Sequence, residues 1–302
     1  MRAVQFADYG GPEVLRPVEV PEPHAGPGQV RVAVRAVGVN PMDWKIRSGA
    51  MREMMPLSLP TIPGSDVAGV VDEVGAGVSG VGVGDEVFGF ATAAGYAEYA
   101  VLEHFAAKPP VMSWEEAAGL PVAAETAVRA LDLLGVGEDD ILLVNGVSGG
   151  VGLATAQLAR HRGATVIGTA SPANHDFLRA LGVNPTSYGP GLVERVRDIS
   201  PDGVDEALDT AGKGALPDLV EITGTSDKVL TISDPDAQRY GVRMTSGAEG
   251  RSYQGLDEAA RLFERGEFSL PVARTFELDQ AAEAHEISQG GHVRGKLILR
   301  VG

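Results

Sequence analysis

Between Ile141 and Ser233 short runs rich in apolar and β-branched residues alternate with stretches of helical spacing, and that alternation leaves few folds open. The runs 141–145 (ILLVN), 165–169 (TVIGT), 204–209 and 228–233 read as strands, the first two with no polar face. The stretches 151–162, 172–181 and 216–223 between them read as helices. Strands joined through helices must pair in parallel, with helices covering both faces of the sheet. A doubly wound α/β domain is the expectation.

The first β-α junction is ILLVNGVSGGVGLATAQLA, in the order strand, glycine turn, helix. A pyrophosphate can approach backbone closely only where side chains are missing, and a helix N-terminus offers free N–H groups and a positive dipole end. Val147 occupies the first place of a strict G-x-G-x-x-G, so the pattern here is Gly146-x-x-Gly149-x-x-Gly152, with Gly150 keeping the turn slim. With a strand before it and a helix after it, this turn points to a nicotinamide dinucleotide. At the end of the second strand an Asp or Glu would hold a free ribose 2′-hydroxyl; Thr169-Ala170-Ser171 stands there instead. Without a carboxylate, a 2′-phosphate meets no repulsion. Ser171 before Pro172 has the look of an N-cap with proline at N1, and His175 and Tyr188 are further candidate donors. NADPH is therefore the expected cofactor.

Before residue 110 the chain is a series of short β-type runs punctuated by Gly and Pro, at 29–39, 66–74, 85–90 and 96–102. Ser113-Trp-Glu-Glu116 is a capping-box signature, and the alanine-rich stretch through Leu134 is expected to be helical. After a helix at 256–263 the chain ends in a helix at 281–288 and a strand at 296–301. At 302 residues it is about twice the ~150 expected per domain.

There is no cysteine, which excludes disulfides, cysteine nucleophiles and thiolate zinc sites. The formal charge of −16 argues against nucleic acid as a partner. The first thirty residues lack a secretory pattern and no apolar run approaches the ~18 residues of a membrane span, so cytoplasm is expected.

Several stretches, in this order, resemble the zinc-independent quinone oxidoreductases of the medium-chain dehydrogenase/reductase superfamily, the zeta-crystallin-like group. They are Asn40-Pro41-x-Asp43 with Ile46-Arg47-x-Gly49, Pro63-Gly64-x-Asp66-x-x-Gly69-x-Val71, Gly84-Asp85-x-Val87, Gly95-Tyr96-Ala97-Glu98-Tyr99, Ala117-Ala118-x-Leu120-Pro121, Ser148-Gly149-Gly150-Val151-Gly152, and Gly291-His292-x-x-Gly295-Lys296. The resemblance implies a GroES-like, mostly β domain built from both chain ends (1–120 and 268–302), a Rossmann domain at 121–267, and a homodimer. Gly64-Ser65-Asp66 stands where zinc-dependent relatives carry Gly-His-Glu, so zinc and its Lewis-acid chemistry are not expected. By the same resemblance Ser148, Gly149, Gly150, Val151, Ser171, His175 and Tyr188 match cofactor contacts, with Thr126 and Ser233 beside the nicotinamide. Two departures bear on the substrate: Lys45 stands where many relatives have a cleft tyrosine, and Ala124-Glu125 replaces the usual Gly-Leu.

Hydride delivery to a quinone or to the β-carbon of an enone leaves negative charge on oxygen that must be stabilised and protonated. Asn40, to orient substrate or nicotinamide, and Lys45, as the cationic donor, are the candidate catalytic residues. Asp43 and Asp66 read as turn and strand-end residues, Tyr96 and Tyr99 as strand packing, and water as a proton source. Three functions stand: an NADPH-dependent reductase of quinones or α,β-unsaturated carbonyls, an enoyl-thioester reductase of a biosynthetic pathway, and a non-catalytic NADPH-binding protein, crystallin-like or redox-sensing.

Overall fold

The computed structural model describes residues 1–302. In chain order the elements are β1 (Arg2–Gln5), β2 (Arg16–Glu19), β3 (Val30–Val39), α1 (Pro41–Arg47), β4 (Asp66–Val74), β5 (Glu86–Ala91), β6 (Tyr99–Ala107), α2 (Trp114–Gly119), α3 (Pro121–Leu134), β7 (Ile141–Asn145), α4 (Gly150–His161), β8 (Thr165–Thr169), α5 (His175–Ala180), β9 (Asn184–Thr186), α6 (Leu192–Ile199), β10 (Glu206–Asp209), α7 (Leu216–Thr223), β11 (Val229–Thr231), β12 (Arg243–Met244), α8 (Gly255–Glu264), β13 (Val272–Glu277), α9 (Ala281–Gly290) and β14 (Lys296–Arg300). No helix is long and apolar enough to cross a membrane.

Two compact units result, one of Met1–Val122 with Leu256–Gly302 and one of Ala123–Gly255. The first is GroES-like, a six-stranded sheet in the order β13-β14-β3-β4-β5-β6 with β3 also pairing β6. β3 makes this closure possible. Val30–Ala33 pair with β6, Ala36–Val39 pair with β14, and β4 runs along the other edge throughout. Register shifts at Arg31/Val32 and Val34/Ala36 bend the strand where it changes partner. Its first half alternates buried and half-exposed positions, as one covered face requires, whereas its last four residues are all buried. There α2 lies so close that a Cβ on Gly38 would sit 2.3 Å from the Ala118 carbonyl oxygen.

The second unit is the Rossmann domain, a six-stranded parallel sheet in the order β12-β11-β10-β7-β8-β9. The order reverses between β7 and β10, which is where ligands bind in sheets of this kind.

Three expectations about elements need correction. The helix read through to Leu134 is two helices, because Pro121 has no N–H to donate and restarts the ladder as the first residue of α3. The stretch 172–181 opens with a 3-10 turn at Pro172–Asn174 before α5. Residues 256–267, expected in the Rossmann domain, go with the first unit, since the short link after α8 buries Phe268 and Leu270 on its way into β13.

β14 is an interior strand whose Leu297, Ile298 and Leu299 are buried. Leu299→Ala is expected to lower the stability of the first unit by about 2–5 kcal/mol in urea denaturation, the range for buried leucine truncations. A loss under about 1 kcal/mol would show that β14 is not integral to the unit's core.

Candidate active site

In the Rossmann unit the site is built from the last residues of four neighbouring strands. Gly146 N–H donates to Thr169 Oγ1 at 3.0 Å, and that hydroxyl donates to Asn145 Oδ1 at 2.6 Å. Asn145 Nδ2 donates to Asp209 Oδ1 at 2.8 Å, and Thr231 Oγ1 donates to Asp209 Oδ2 at the same distance. The Ser233 and Asp234 N–H groups in turn donate to Thr231 Oγ1 at 3.1 and 3.0 Å. One buried carboxylate thus fixes the glycine turn after β7 and the loop after β11 relative to each other. Such a network is stiff because each member's donors and acceptors are matched in a dry setting.

Gly146 has a left-handed φ of 84°, and a Cβ there would meet Thr210 Oγ1 at 2.9 Å. A Cβ on Gly152 would stand 2.5 Å from the Gly146 carbonyl oxygen, so α4 packs on the turn with no room for a methyl group. Gly149 is the extended N-cap of α4, and no side chain caps the helix. Uncapped N–H groups on a slim glycine turn fit the pyrophosphate of a dinucleotide. Ser148, Gly150 and Val151 lie half-buried on this turn and the first turn of α4.

After β8, Ser171 Oγ accepts from Asn174 Nδ2 at 3.2 Å, which leaves its own proton for an external acceptor. His175 Nε2 lies 3.2 Å from the Ala170 carbonyl oxygen, so that nitrogen carries the hydrogen. Nδ1 of the neutral ring is then an acceptor, and His175 gives a phosphate a second donor only as imidazolium. Tyr188 is exposed on a loop that Arg195 braces through the Ser187, Gly189 and Pro190 carbonyls. Ser233 Oγ donates to the Thr210 carbonyl at 3.4 Å. The Thr126 hydroxyl donates to Glu125 Oε2 at 3.2 Å and accepts from Arg129 Nη2 at 3.3 Å. Glu125, at the departure from the usual Gly-Leu, is fully buried in an ion pair with Arg129 at 2.7 Å and also receives the Ser252 N–H.

The GroES-like unit holds a second buried polar group. Asn40 is the N-cap residue of α1 and forms a capping box with Asp43. Its Nδ2 donates to Asp66 Oδ2 at 2.9 Å, and its Oδ1 accepts from Lys296 Nζ at 2.5 Å. Lys296 also reaches Asp66 Oδ2 at 3.3 Å. Strand register brings these residues together, since Leu297 opposite Val39 sets Lys296 against Asn40, and Asp66 lies opposite Gly38. Burial raises the Asp66 carboxyl above its ordinary pKa, and the Lys296 ammonium opposes that most strongly. Asp66 accepts from Ser65 Oγ, Val122 N–H, Asn40 and Lys296, a set of donors that suits a carboxylate.

Asp43 accepts from the Asn40 N–H at 2.9 Å and from the Tyr96 hydroxyl at 3.0 Å. Tyr96, read from the sequence as strand packing, is a buried bridge whose hydroxyl also meets His285 Nε2 at 3.0 Å. Burial, and then the charge of Arg47, push His285 down to about 3, so it is neutral at physiological pH. Tyr99 does pack, with the Arg31 guanidinium 5.0 Å from its ring centre.

A second ammonium, that of Lys296, meets Asn40 and Asp66. Lys45 follows Asp43 by two positions, about 200° around α1 from that buried face, and its ammonium stands 5.9 Å from the Trp44 ring centre. Lys296, Asp209, Asn145, Thr169 and Thr231 were not among the expected site residues. A signal existed for the last four, since each strand ends on a polar residue that the covered faces of a parallel sheet do not explain. Lys296 stood in the matching stretch Gly291-His292-x-x-Gly295-Lys296, but nothing there linked it to Asn40.

Residues 26–128 match the alcohol dehydrogenase GroES-like domain family, and residues 186–299 match the zinc-binding dehydrogenase family. The chain is 36% identical over 98% of its length to the spectinabilin polyketide synthase system protein NorB of Streptomyces orinoci, of which it spans 14%. It is 32% identical over 99% of its length to the quinone oxidoreductase of Rattus norvegicus, spanning 97% of that protein. The structure of Escherichia coli quinone oxidoreductase complexed with NADPH superposes with a TM-score of 0.86 at 25% identity, over the whole of both chains. This chain belongs to the quinone oxidoreductase group of the medium-chain dehydrogenase/reductase superfamily. It is an oxidoreductase of that class. The donor set does not fit the metal in the second family's description. Cysteine is absent, no three His, Asp or Glu side chains converge, and an ammonium faces Asp66.

Burial, with the Asp66 charge adding to it, lifts the Asp43 carboxyl from 3.8 to about 7. A carboxyl raised on folding contributes its full stability below the unfolded value and loses it as pH climbs to the folded one. A rise of that size corresponds to about 4 kcal/mol. The stability of the wild type relative to Asp43→Asn should therefore fall by up to that amount between pH 4 and 7 and level off above. A pH-independent difference in urea midpoints would show that Asp43 ionises like an exposed aspartate.

Proposed function

We propose that this chain is an NADPH-dependent reductase that adds hydride to a quinone or to the β-carbon of an α,β-unsaturated carbonyl compound, without zinc. The observation that carries the reading is the uncapped α4 N-terminus on a glycine turn braced by Asp209. The relationship to quinone oxidoreductases, one of them complexed with NADPH, supports it. In this reading Ser148, Gly149, Gly150 and Val151 take the pyrophosphate, and Ser171, Tyr188 and His175 take the 2′-phosphate. Thr126 and Ser233 flank the nicotinamide, and Asn40 orients its carboxamide or the carbonyl of the acceptor. The bound cofactor supplies the hydride. Two electrons pass to the acceptor, its oxygen gains the charge, and water returns the proton, so no indispensable side-chain acid is required. A cytoplasmic homodimer belongs to the same reading.

A second reading, reduction of an enoyl thioester, draws on the similarity to a polyketide synthase system protein. NADPH consumption with quinones, short enones and enoyl thioesters separates the two. We expect turnover with a quinone or short enone, unchanged by chelators. Turnover confined to thioesters would favour the second reading, and none with any acceptor would favour a non-catalytic binder.

A hydrogen bond to a charged phosphate is worth roughly 1.5–3 kcal/mol, and Ser171 with its neighbours supplies one or two net bonds. NADPH should therefore bind on the order of 10- to 1000-fold more tightly than NADH, by fluorescence titration. Ser171→Asp sets a carboxylate against the phosphate and offers an acceptor to a free 2′-hydroxyl, so preference should move toward NADH. Equal dissociation constants in the wild type would overturn this account of specificity.

A further inference from the structure

The Asn40 amide is held between two charged groups of opposite kind. An ammonium has no acceptor and a carboxylate has no donor, so the partners fix which end of the amide is which. Turning it by 180° would set its carbonyl against Asp66 and its NH2 against Lys296. Asn40, Asp66 and Lys296 are all at least nine-tenths buried, so water cannot substitute for either partner.

We propose that Lys296 is a positioning residue: with Asp66 it locks the Asn40 amide in one orientation, so that its remaining N–H and lone pair meet the cofactor or the acceptor in a fixed sense. The proposal rests on the reading that Asn40 touches one of those groups. Asp66 stands where zinc-dependent relatives carry the last residue of Gly-His-Glu, and the charge that organises this spot is an internal ammonium. Loss of Lys296 removes the charge-assisted bond to Asn40 and the one to Asp66, and leaves Asp66 buried without its counter-charge.

The test compares wild type, Lys296→Met, Lys296→Arg and the double variant Asp66→Asn/Lys296→Met. Turnover, KM for NADPH and for the acceptor, and melting temperature are measured for each. In the double variant neither charge of the Asp66–Lys296 pair is left. The amide that Asp66→Asn introduces keeps its carbonyl on the Val122 N–H and turns its NH2 toward Asn40, which satisfies it by presenting its own carbonyl there. The Asn40 amide is thereby reversed while the fold is kept. Lys296→Met should lose about 10- to 100-fold in kcat with KM for NADPH little changed, the size of one charge-assisted bond. Lys296→Arg should recover most of that loss. The double variant should melt near the wild type yet stay at least tenfold slow. Recovery of kcat together with melting temperature would reduce Lys296 to charge balance and overturn the proposal, as would full activity of Lys296→Met.

A readout independent of turnover separates this claim from the reductase reading. With 15N-asparagine the chain carries four labelled side chains, Asn40, Asn145, Asn174 and Asn184. The Asn40 amide protons should exchange slowly in the wild type and rapidly in Lys296→Met. Unchanged exchange overturns the locking role. A wild type that reduces no acceptor overturns the reductase reading and leaves the amide result to decide the lock.

Discussion

The Asp66 carboxylate is the constraint around which the GroES-like unit is arranged. It opens β4, lies opposite Gly38 on β3 and Phe90 on β5, and accepts the N–H of Val122 in the first turn of α3. A buried anion is tolerable only with its full set of partners. Lys296 at the start of β14 and Asn40 before α1 complete that set. The charge therefore ties two helix starts and two strand ends to one another, and Asn40 inherits its orientation from the tie.

Asp209 does the corresponding work in the Rossmann unit. Parallel strands end together at one edge, so polar residues that finish β8, β7, β10 and β11 necessarily stand side by side. Asn145 and Thr231 both donate to Asp209, and the Ala211 and Gly212 N–H groups add to it. Glu125 shows the same logic away from the strand ends. Its place differs from the family's usual leucine, and burial is made tolerable by Arg129, one helical turn on.

Much of this was legible in the residues. The glycine spacing gave the turn, because Gly152 has no alternative when a methyl would strike the Gly146 carbonyl. The capping box at Ser113 and Glu116 formed, with both reciprocal bonds in place. The missing carboxylate after β8 was visible as Thr169-Ala170-Ser171. The hydrogen bonds of the Tyr96 hydroxyl were not legible, for one reason. α1 is short, and which of its faces is buried depends on α9, far away in the sequence, through Tyr96, His285 and the Arg47–Gln289 hydrogen bond.

Local order thus came from the sequence by itself: strand and helix periodicity, the slim turn for a dinucleotide, and the absence of thiolate ligands, all properties of residues within a few positions of one another. Only the tertiary structure decided which charges meet. Lys296 lies 256 positions from Asn40, and no periodicity connects them. Strand register does, because β14 runs antiparallel to β3 with Leu297 against Val39 and so delivers an ammonium to the buried Asp66 carboxylate.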